Sequence, residues 1–244
     1  MTDIDRHANG SFCWVELGTT DQNAAKSFYS SLFGWSAKDR PMGPDAFYSI
    51  FELEGRHAAA GYTLDAGALS KGIPAHWAVY IAVASADDAA ARLAELGGKV
   101  LEAPFDVFDA GRMAVIQDPT GAHFNVWQPK NNTGIGIKDV DGTLCWADLG
   151  TPDPGRAAKF YSGLFGWKIA AGENDPYLHI QNGEIFIGGI PPAEYRPAGV
   201  PPRWLLYFKV SSCDQAAARV KELGGNIHMP AMTIEKVGRW AVVA

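Results

Sequence analysis

FCWVELGTTDQNAAKSFYSSLFGW, residues 12–35, returns 132 residues later as LCWADLGTPDPGRAAKFYSGLFGW, residues 144–167, with no gap between the copies. Self-similarity of this length is read before any local pattern, because it sets the architecture. The match continues downstream at an offset of 127: HWAVYIAV (76–83) lies over RWLLYFKV (203–210), and DDAAARLAELGGKV (87–100) over DQAAARVKELGGNI (214–227). GRMAVI (111–116) lies over GRWAVV (238–243). The fall in offset places a shorter loop in the second copy, between LFGW and the strand carrying Trp77 or Trp204. A repeat of roughly 130 residues has the size of a domain and not of a solenoid unit. The chain therefore reads as two tandem domains, 1–132 and 133–244.

Within each copy the same order of elements recurs. FCWVEL (12–17) is short and rich in strand formers. Asp21 is placed to cap a helix over 22–33, with Ala24, Ala25, Phe28, Tyr29, Leu32 and Phe33 at helical spacing. Gly34 is placed to end it in a left-handed conformation. FYSIFEL (47–53) and HAAAGYTL (57–64) read as strands, and LSKGIP (69–74) as a linker. A second cycle follows: strand WAVYIAV (77–83), a helix over 86–96, then strands KVLEAPFDV, GRMAVIQD and AHFNVWQP. DPTG (118–121) is a turn. Aligned on the first copy, Ala244 corresponds to Gln117. The second copy is thus expected to lack its last turn and strand and to leave a neighbouring strand edge unpaired.

The composition narrows the classes. The sequence holds 244 residues, 47% of them hydrophobic, with a formal net charge of −6. An acidic chain with no Lys/Arg stripe is a poor fit to nucleic acid. No apolar run approaches the ~18 residues of a membrane span. The polar start MTDIDRHANG does not resemble a signal peptide. Cys13, Cys145 and Cys213 contain no CxxC pair and read as thiols in a reducing, cytoplasmic compartment.

Strand, turn, Asp, helix, FYSxLFGW, and then a second module ending in a DPTGA turn together resemble the vicinal oxygen chelate superfamily. That superfamily includes glyoxalase I, extradiol dioxygenases and bleomycin or fosfomycin resistance proteins. The tandem arrangement resembles its two-domain, glyoxalase-like members described as hydroxylases. The resemblance implies an α+β fold: two tandem domains, each of paired βαβββ modules (about 11–64 and 76–129, then 143–191 and 203–244). Each domain would form a curved mixed sheet around a cleft, with helices outside. LFGW would then be scaffold, and function would reside in what lines the cleft.

Metal-using relatives hold a divalent ion with His, Gln and Glu on cleft strands. Carried onto this sequence, the first ligand position is Trp14, with Trp146 in the second copy. The next falls near Ala78 and Leu205, and the Glu position after the DPTG turn is Asn125. These residue types suit a divalent ion badly. The six His residues show no HxH, HxxxH or HExxH spacing. No metal and no other cofactor is expected.

Strand parity selects the cleft residues instead, since alternate side chains share a face. Trp14, Glu16, Tyr80, His123, Asn125 and Trp127 are expected in the first cleft, and Trp146, Asp148, Tyr207 and Lys209 in the second. Glu16 and His123 are the acid/base candidates, and the rest are ligand-binding. Aromatic walls with a few polar groups suit a small organic molecule. A buried Glu16 would carry a raised pKa and could transfer protons. Two functions follow: a metal-independent tailoring or detoxifying enzyme of lyase, isomerase or hydroxylase type, or a non-catalytic binder that sequesters a drug or natural product. Metal-dependent glyoxalase or dioxygenase chemistry is the third. The chain is expected to be a monomer or homodimer without nucleic-acid or membrane partners.

Overall fold

The computed structural model of the protein describes residues 4–244 except 45, 174 and 236. The first repeat opens with β1 (Phe12–Thr19), buried along its whole length. A run of eight residues screened on both faces belongs in the middle of a sheet. Helix α1 (Gln22–Phe33) begins where Asp21 Oδ1 accepts from the Ala24 N–H at 2.9 Å and ends at Gly34, φ 74°. Strands β2 (Ser36–Pro41), β3 (Phe47–Leu53) and β4 (Arg56–Thr63) complete the first module. SAKDRP in β2 is exposed throughout and has no apolar alternation, so only its pairing with β3 makes it a strand. Part of the expected 69–74 linker is helical instead. Asp65 caps a short α2 (Ala66–Ser70), which includes Leu69. The second module is β5 (His76–Ala82), α3 (Ala86–Leu96), β6 (Lys99–Val107), β7 (Gly111–Gln117) and β8 (His123–Pro129).

These strands form one eight-stranded sheet in the order β2-β3-β4-β1-β5-β8-β7-β6. The modules meet at the antiparallel β1·β5 pair, and each first strand runs parallel to the last strand of its own module. This register places one row of residues across the centre: Trp14 lies opposite Tyr80, Tyr80 opposite Asn125, and Asn125 opposite Val115. The adjacent row holds Ala60, Glu16 and Ala78.

The second repeat contains β9 (Leu144–Gly150), α4 (Pro154–Phe165), β10 (Lys168–Gly172), β11 (Asp175–Asn182) and β12 (Ile185–Ile190). After a 3-10 turn at Ala193–Tyr195 come β13 (Arg203–Phe208), α5 (Cys213–Glu222), β14 (Ile227–Ile234) and β15 (Gly238–Val243). Its sheet runs β10-β11-β12-β9-β13, and β14 pairs only with β15. Among the described residues no strand occupies the place beside β13 that β8 holds beside β5.

LFGW joins the two halves reciprocally. The Trp35 indole donates to the Gly142 carbonyl at 2.8 Å, and the Trp167 indole donates to the Gly10 carbonyl at 2.9 Å. Each glycine lies two residues before the first strand of the opposite repeat. Gly10 has φ 78° and Gly142 φ 82°, and a Cβ on Gly10 would lie 2.8 Å from the Trp167 indole nitrogen. Aromatic rings fill the seam around each indole. Phe208 packs on Trp35, Phe33 and Trp77, while Phe12 packs on Trp167 and Trp204.

Candidate active site

Glu16, expected in the first cleft, is buried at 9% exposure among Trp14, Tyr80, Asn125 and Trp127. Its Oε2 accepts from the Tyr48 hydroxyl at 2.8 Å, and its Oε1 accepts a close hydrogen bond from the Tyr80 hydroxyl. The Tyr48 oxygen accepts in turn from the Trp14 indole at 2.8 Å. Burial raises the Glu16 carboxyl above the ordinary carboxylate range, opposed by the Tyr80 and Tyr48 hydrogen bonds and by His76. Burial and then the Glu16 charge push Tyr48 and Tyr80 well above the usual phenol range. Burial and the same charge push Tyr62 up to about 12. The cluster therefore holds protonated phenols around a carboxyl that resists ionisation.

The second repeat builds the same circuit from different residues. Asp148 Oδ1 accepts from the Tyr177 hydroxyl at 2.5 Å and from the Trp146 indole at 3.0 Å, and Oδ2 accepts from the Tyr207 hydroxyl at 3.0 Å. The Trp146 indole also donates to the Tyr177 oxygen at 2.9 Å. Burial raises the Asp148 carboxyl, against the hydrogen bonds from Tyr177, Tyr207 and Trp146. Trp14, Tyr48, Glu16 and Tyr80 thus correspond to Trp146, Tyr177, Asp148 and Tyr207.

Other expected residues are placed differently. His123 is an exposed residue on β8, with Nε2 3.0 Å from the Gln117 amide nitrogen. Burial of its ring and nearby His76 lower its pKa. The hydrogen-bond partners of the Glu16 carboxylate are phenols, not His123. Asn125 is buried beside Tyr80. Trp127 meets Tyr80 edge to face at 6.2 Å and donates to the Asn132 carbonyl at 2.9 Å. Lys209 donates to the Asp139 carbonyl at 3.0 Å, in the segment joining the repeats. The β13 register shifts between Tyr207 and Phe208, so parity counted from Tyr207 does not reach Lys209. Tyr48 and Tyr177 were missed. Both lie on strands that follow the loop whose shortening interrupts the repeat, Tyr48 as the second residue of β3 and Tyr177 as the third of β11.

Tyr80 lies opposite both Trp14 and Asn125, and Ala78, the position carried over from the resemblance, lies opposite Glu16. The Trp14, Tyr80 and Asn125 row offers an indole, a phenol already bonded to Glu16 and an amide. An indole N–H has no lone pair to give, and a phenol held protonated is a weak donor. Among the described residues no group of three or more His, Cys, Asp or Glu is placed to hold a metal ion. These residues do not fit the metal.

Beside Trp14, His57 packs edge to face at 5.8 Å. His57 also lines a polar recess of about 450 Å³ with Asp5, Arg56 and Thr133. No described helix is long and apolar enough to cross a membrane.

Comparison with known proteins gives the same frame. "Putative glyoxylase CFP32" of Mycobacterium tuberculosis is 39% identical over 250 residues, covering 100% of this chain and 94% of its own. "Anthracycline biosynthesis protein DnrV" of Streptomyces peucetius is 35% identical over 242 residues, covering 92% and 86%. The Mn(II)-bound glyoxalase of Novosphingobium aromaticivorans superposes with TM-score 0.66 at 18% identity, over 96% of this chain and 78% of that one. The 2,3-dioxygenase LapB of Pseudomonas sp. KL28 superposes with TM-score 0.64 at 13% identity, over 97% and 93%. At such identities the two structures speak for the fold alone. A sequence model matches residues 11–126 and 143–242, and the chain belongs to the Glyoxalase/Bleomycin resistance protein/Dioxygenase superfamily.

Proposed function

We propose that this chain binds a small planar aromatic molecule at the Glu16 cleft without a metal and moves a proton on it, as a tailoring or detoxifying enzyme of lyase or isomerase type. The observation that carries this reading is the carboxyl of Glu16, buried and bracketed by the Tyr48 and Tyr80 hydroxyls. Burial raises this carboxyl above the ordinary carboxylate range, which strengthens its hold on a proton it can exchange with a ligand. The Glu16 carboxyl gives a proton through the Tyr80 hydroxyl to one atom of the ligand, and the carboxylate so formed takes one back by the same path from a neighbouring C–H or O–H. Trp14 and Tyr48 supply the aromatic surface. The DnrV relative, named for anthracycline biosynthesis, supports a polycyclic aromatic ligand. The three free thiols suit a cytoplasmic setting.

The test is binding of 1,8-dihydroxyanthraquinone, followed by quenching of tryptophan fluorescence. Trp14→Ala is expected to weaken binding at least tenfold, and Glu16→Gln to remove its pH dependence. Binding indifferent to both substitutions would overturn the reading. Sequestration without chemistry is a second reading, favoured by one observation: both Glu16 oxygens already accept protein hydrogen bonds. A bound ligand that exchanges no proton with deuterated solvent would select it.

A further inference from the structure

We propose that His76 is a ligand-facing base of the first repeat, with the Tyr62 hydroxyl beside it as a hydrogen-bond donor, and that the substrate is a planar aromatic ketone whose acidic C–H lies across the ring from its carbonyl. The proposal rests on reading Glu16 as the proton donor of this site.

Gly18 brings the two side chains together. It lies two residues beyond Glu16 on β1 and so on the same face. Tyr62 of β4 stands opposite it on one side and His76 of β5 on the other. A Cβ on Gly18 would lie 3.2 Å from the Tyr62 hydroxyl oxygen and 3.3 Å from His76 Cε1. Both side chains therefore lean over the space that the glycine leaves. Glu16, in the next row, is flanked by Ala60 and Ala78, whose side chains are too short to come between.

The pair is open where the acid circuit is closed. His76 is exposed and Tyr62 half-buried. His76 Nδ1 lies 2.8 Å from the Pro74 carbonyl, and a carbonyl only accepts, so Nδ1 carries the proton. The neutral ring then keeps its lone pair on Nε2, which has no hydrogen-bond partner among the described residues. Among the same residues the Tyr62 hydroxyl has none either. Burial and then the Glu16 charge push that phenol up to about 12, so it remains a donor. Both Glu16 oxygens, by contrast, already accept from Tyr48 and Tyr80.

The two repeats differ at this place. The circuit of Trp, acid and two Tyr is built in both, so it does not by itself mark one of them for chemistry. Gly150 corresponds to Gly18, but Arg203 stands opposite it where His76 stands in the first repeat. Pro191, two residues past Gly189, takes the place of Tyr62. An arginine stays protonated and a proline has no hydroxyl. The base and its neighbouring donor belong to the first repeat alone.

A relay through Glu16 serves neighbouring atoms of a ligand; a second base extends the transfer across a ring. Nε2 of His76 takes the C–H proton, and the bonding pair enters the ring. The carbonyl oxygen takes the Tyr80 proton while Tyr80 takes that of Glu16. The products are the enol, an imidazolium and the Glu16 carboxylate, and water carries the proton back between the last two.

The test is exchange of the C10 protons of 1,8-dihydroxyanthrone with deuterated buffer, followed by NMR in the absence of oxygen, beside binding of the same molecule read by tryptophan fluorescence. The wild type is expected to exchange them faster than buffer. His76→Ala should lose about a hundredfold in exchange rate with binding little changed. Added imidazole should restore exchange in that variant, which a purely structural role of His76 would not allow. Tyr62→Phe should weaken binding about fivefold, the effect of one hydrogen bond; unchanged binding would overturn its part. Exchange at the wild-type rate in His76→Ala, or a loss that imidazole does not restore, would overturn the role of His76. The Glu16 reading would still stand if Glu16→Gln abolished exchange. A wild type that does not bind, or binds without exchange, would overturn Glu16 as proton donor, and this proposal with it.

Discussion

The buried Glu16 carboxyl makes a definite statement about pH. Its folded pKa lies above its unfolded value, with burial the leading cause. Between those two values the native state keeps a proton that the unfolded chain has released. The stabilisation from this group is therefore complete below the unfolded pKa and is lost as pH rises through the folded one. Glu16→Gln cannot ionise, so its Tm relative to wild type should climb as pH is raised from about 4, near the unfolded Glu value, into the alkaline range. Thermal melts across that range check this, and a constant Tm difference would show that Glu16 titrates like an exposed carboxylate. Tyr48→Phe removes the bond to Oε2 and strands the Trp14 indole N–H. Its expected cost is about 1–3 kcal/mol in chemical denaturation, the range for leaving buried polar groups unpaired. A loss near zero would mean water replaces the hydroxyl.

Individual elements show how the repeat was used twice with different results. α4 buries Ala157, Phe160, Tyr161 and Leu164, whereas α1, with the same FYSxLF pattern, buries none of its residues fully. The cause lies in what faces them. Phe160, Tyr161 and Phe165 pack on Phe124 of β8, and Tyr161 donates to Asp118 Oδ2 at 3.0 Å in the turn before it. Among the described residues α1 has no such counterpart. The LFGW tryptophans are equivalent in wiring and share no aromatic or hydrogen-bond partner. Trp35→Phe and Trp167→Phe should therefore each cost about 1–2 kcal/mol through the stranded carbonyl. They should add to within about 0.5 kcal/mol in the double variant. Denaturant midpoints read this, and strong non-additivity would show the seam acting as one unit.

At the scale of the molecule, the reciprocal indole bonds make each half complete the start of the other. That is why a motif so plainly repeated has little to do with chemistry. The same scale carries the metal prediction. A divalent ion bound at one hundred times its Kd stabilises a protein by about 2.7 kcal/mol, which a thermal melt resolves easily. Dialysed protein titrated with Mn²⁺, Zn²⁺, Ni²⁺ or Fe²⁺ should show no such rise. A shift of several degrees would mean the Trp14, Tyr80 and Asn125 row rearranges around the ion.

The sequence by itself determined the duplication, most of the order of elements, and the caps at Asp21 and Gly34. Each of these is local or a direct comparison of the chain with itself. Trp14, Glu16, Tyr80, Trp146, Asp148 and Tyr207 were legible because strand parity is a period of two along one segment. What the sequence could not supply was register between strands. Only the β1·β5 pairing set Tyr80 rather than Ala78 opposite Trp14, and only folding brought Tyr48 and Tyr177 to the acids across intervening loops. The exposed strand SAKDRP was equally hidden, because its partner and not its own pattern makes it a strand. The tertiary structure alone decided which residues face the two acids, since Ala60 and Gly189 lie some forty residues along the chain from the carboxyls opposite them. A methyl group's effect there depends on a contact that no local reading of the chain contains.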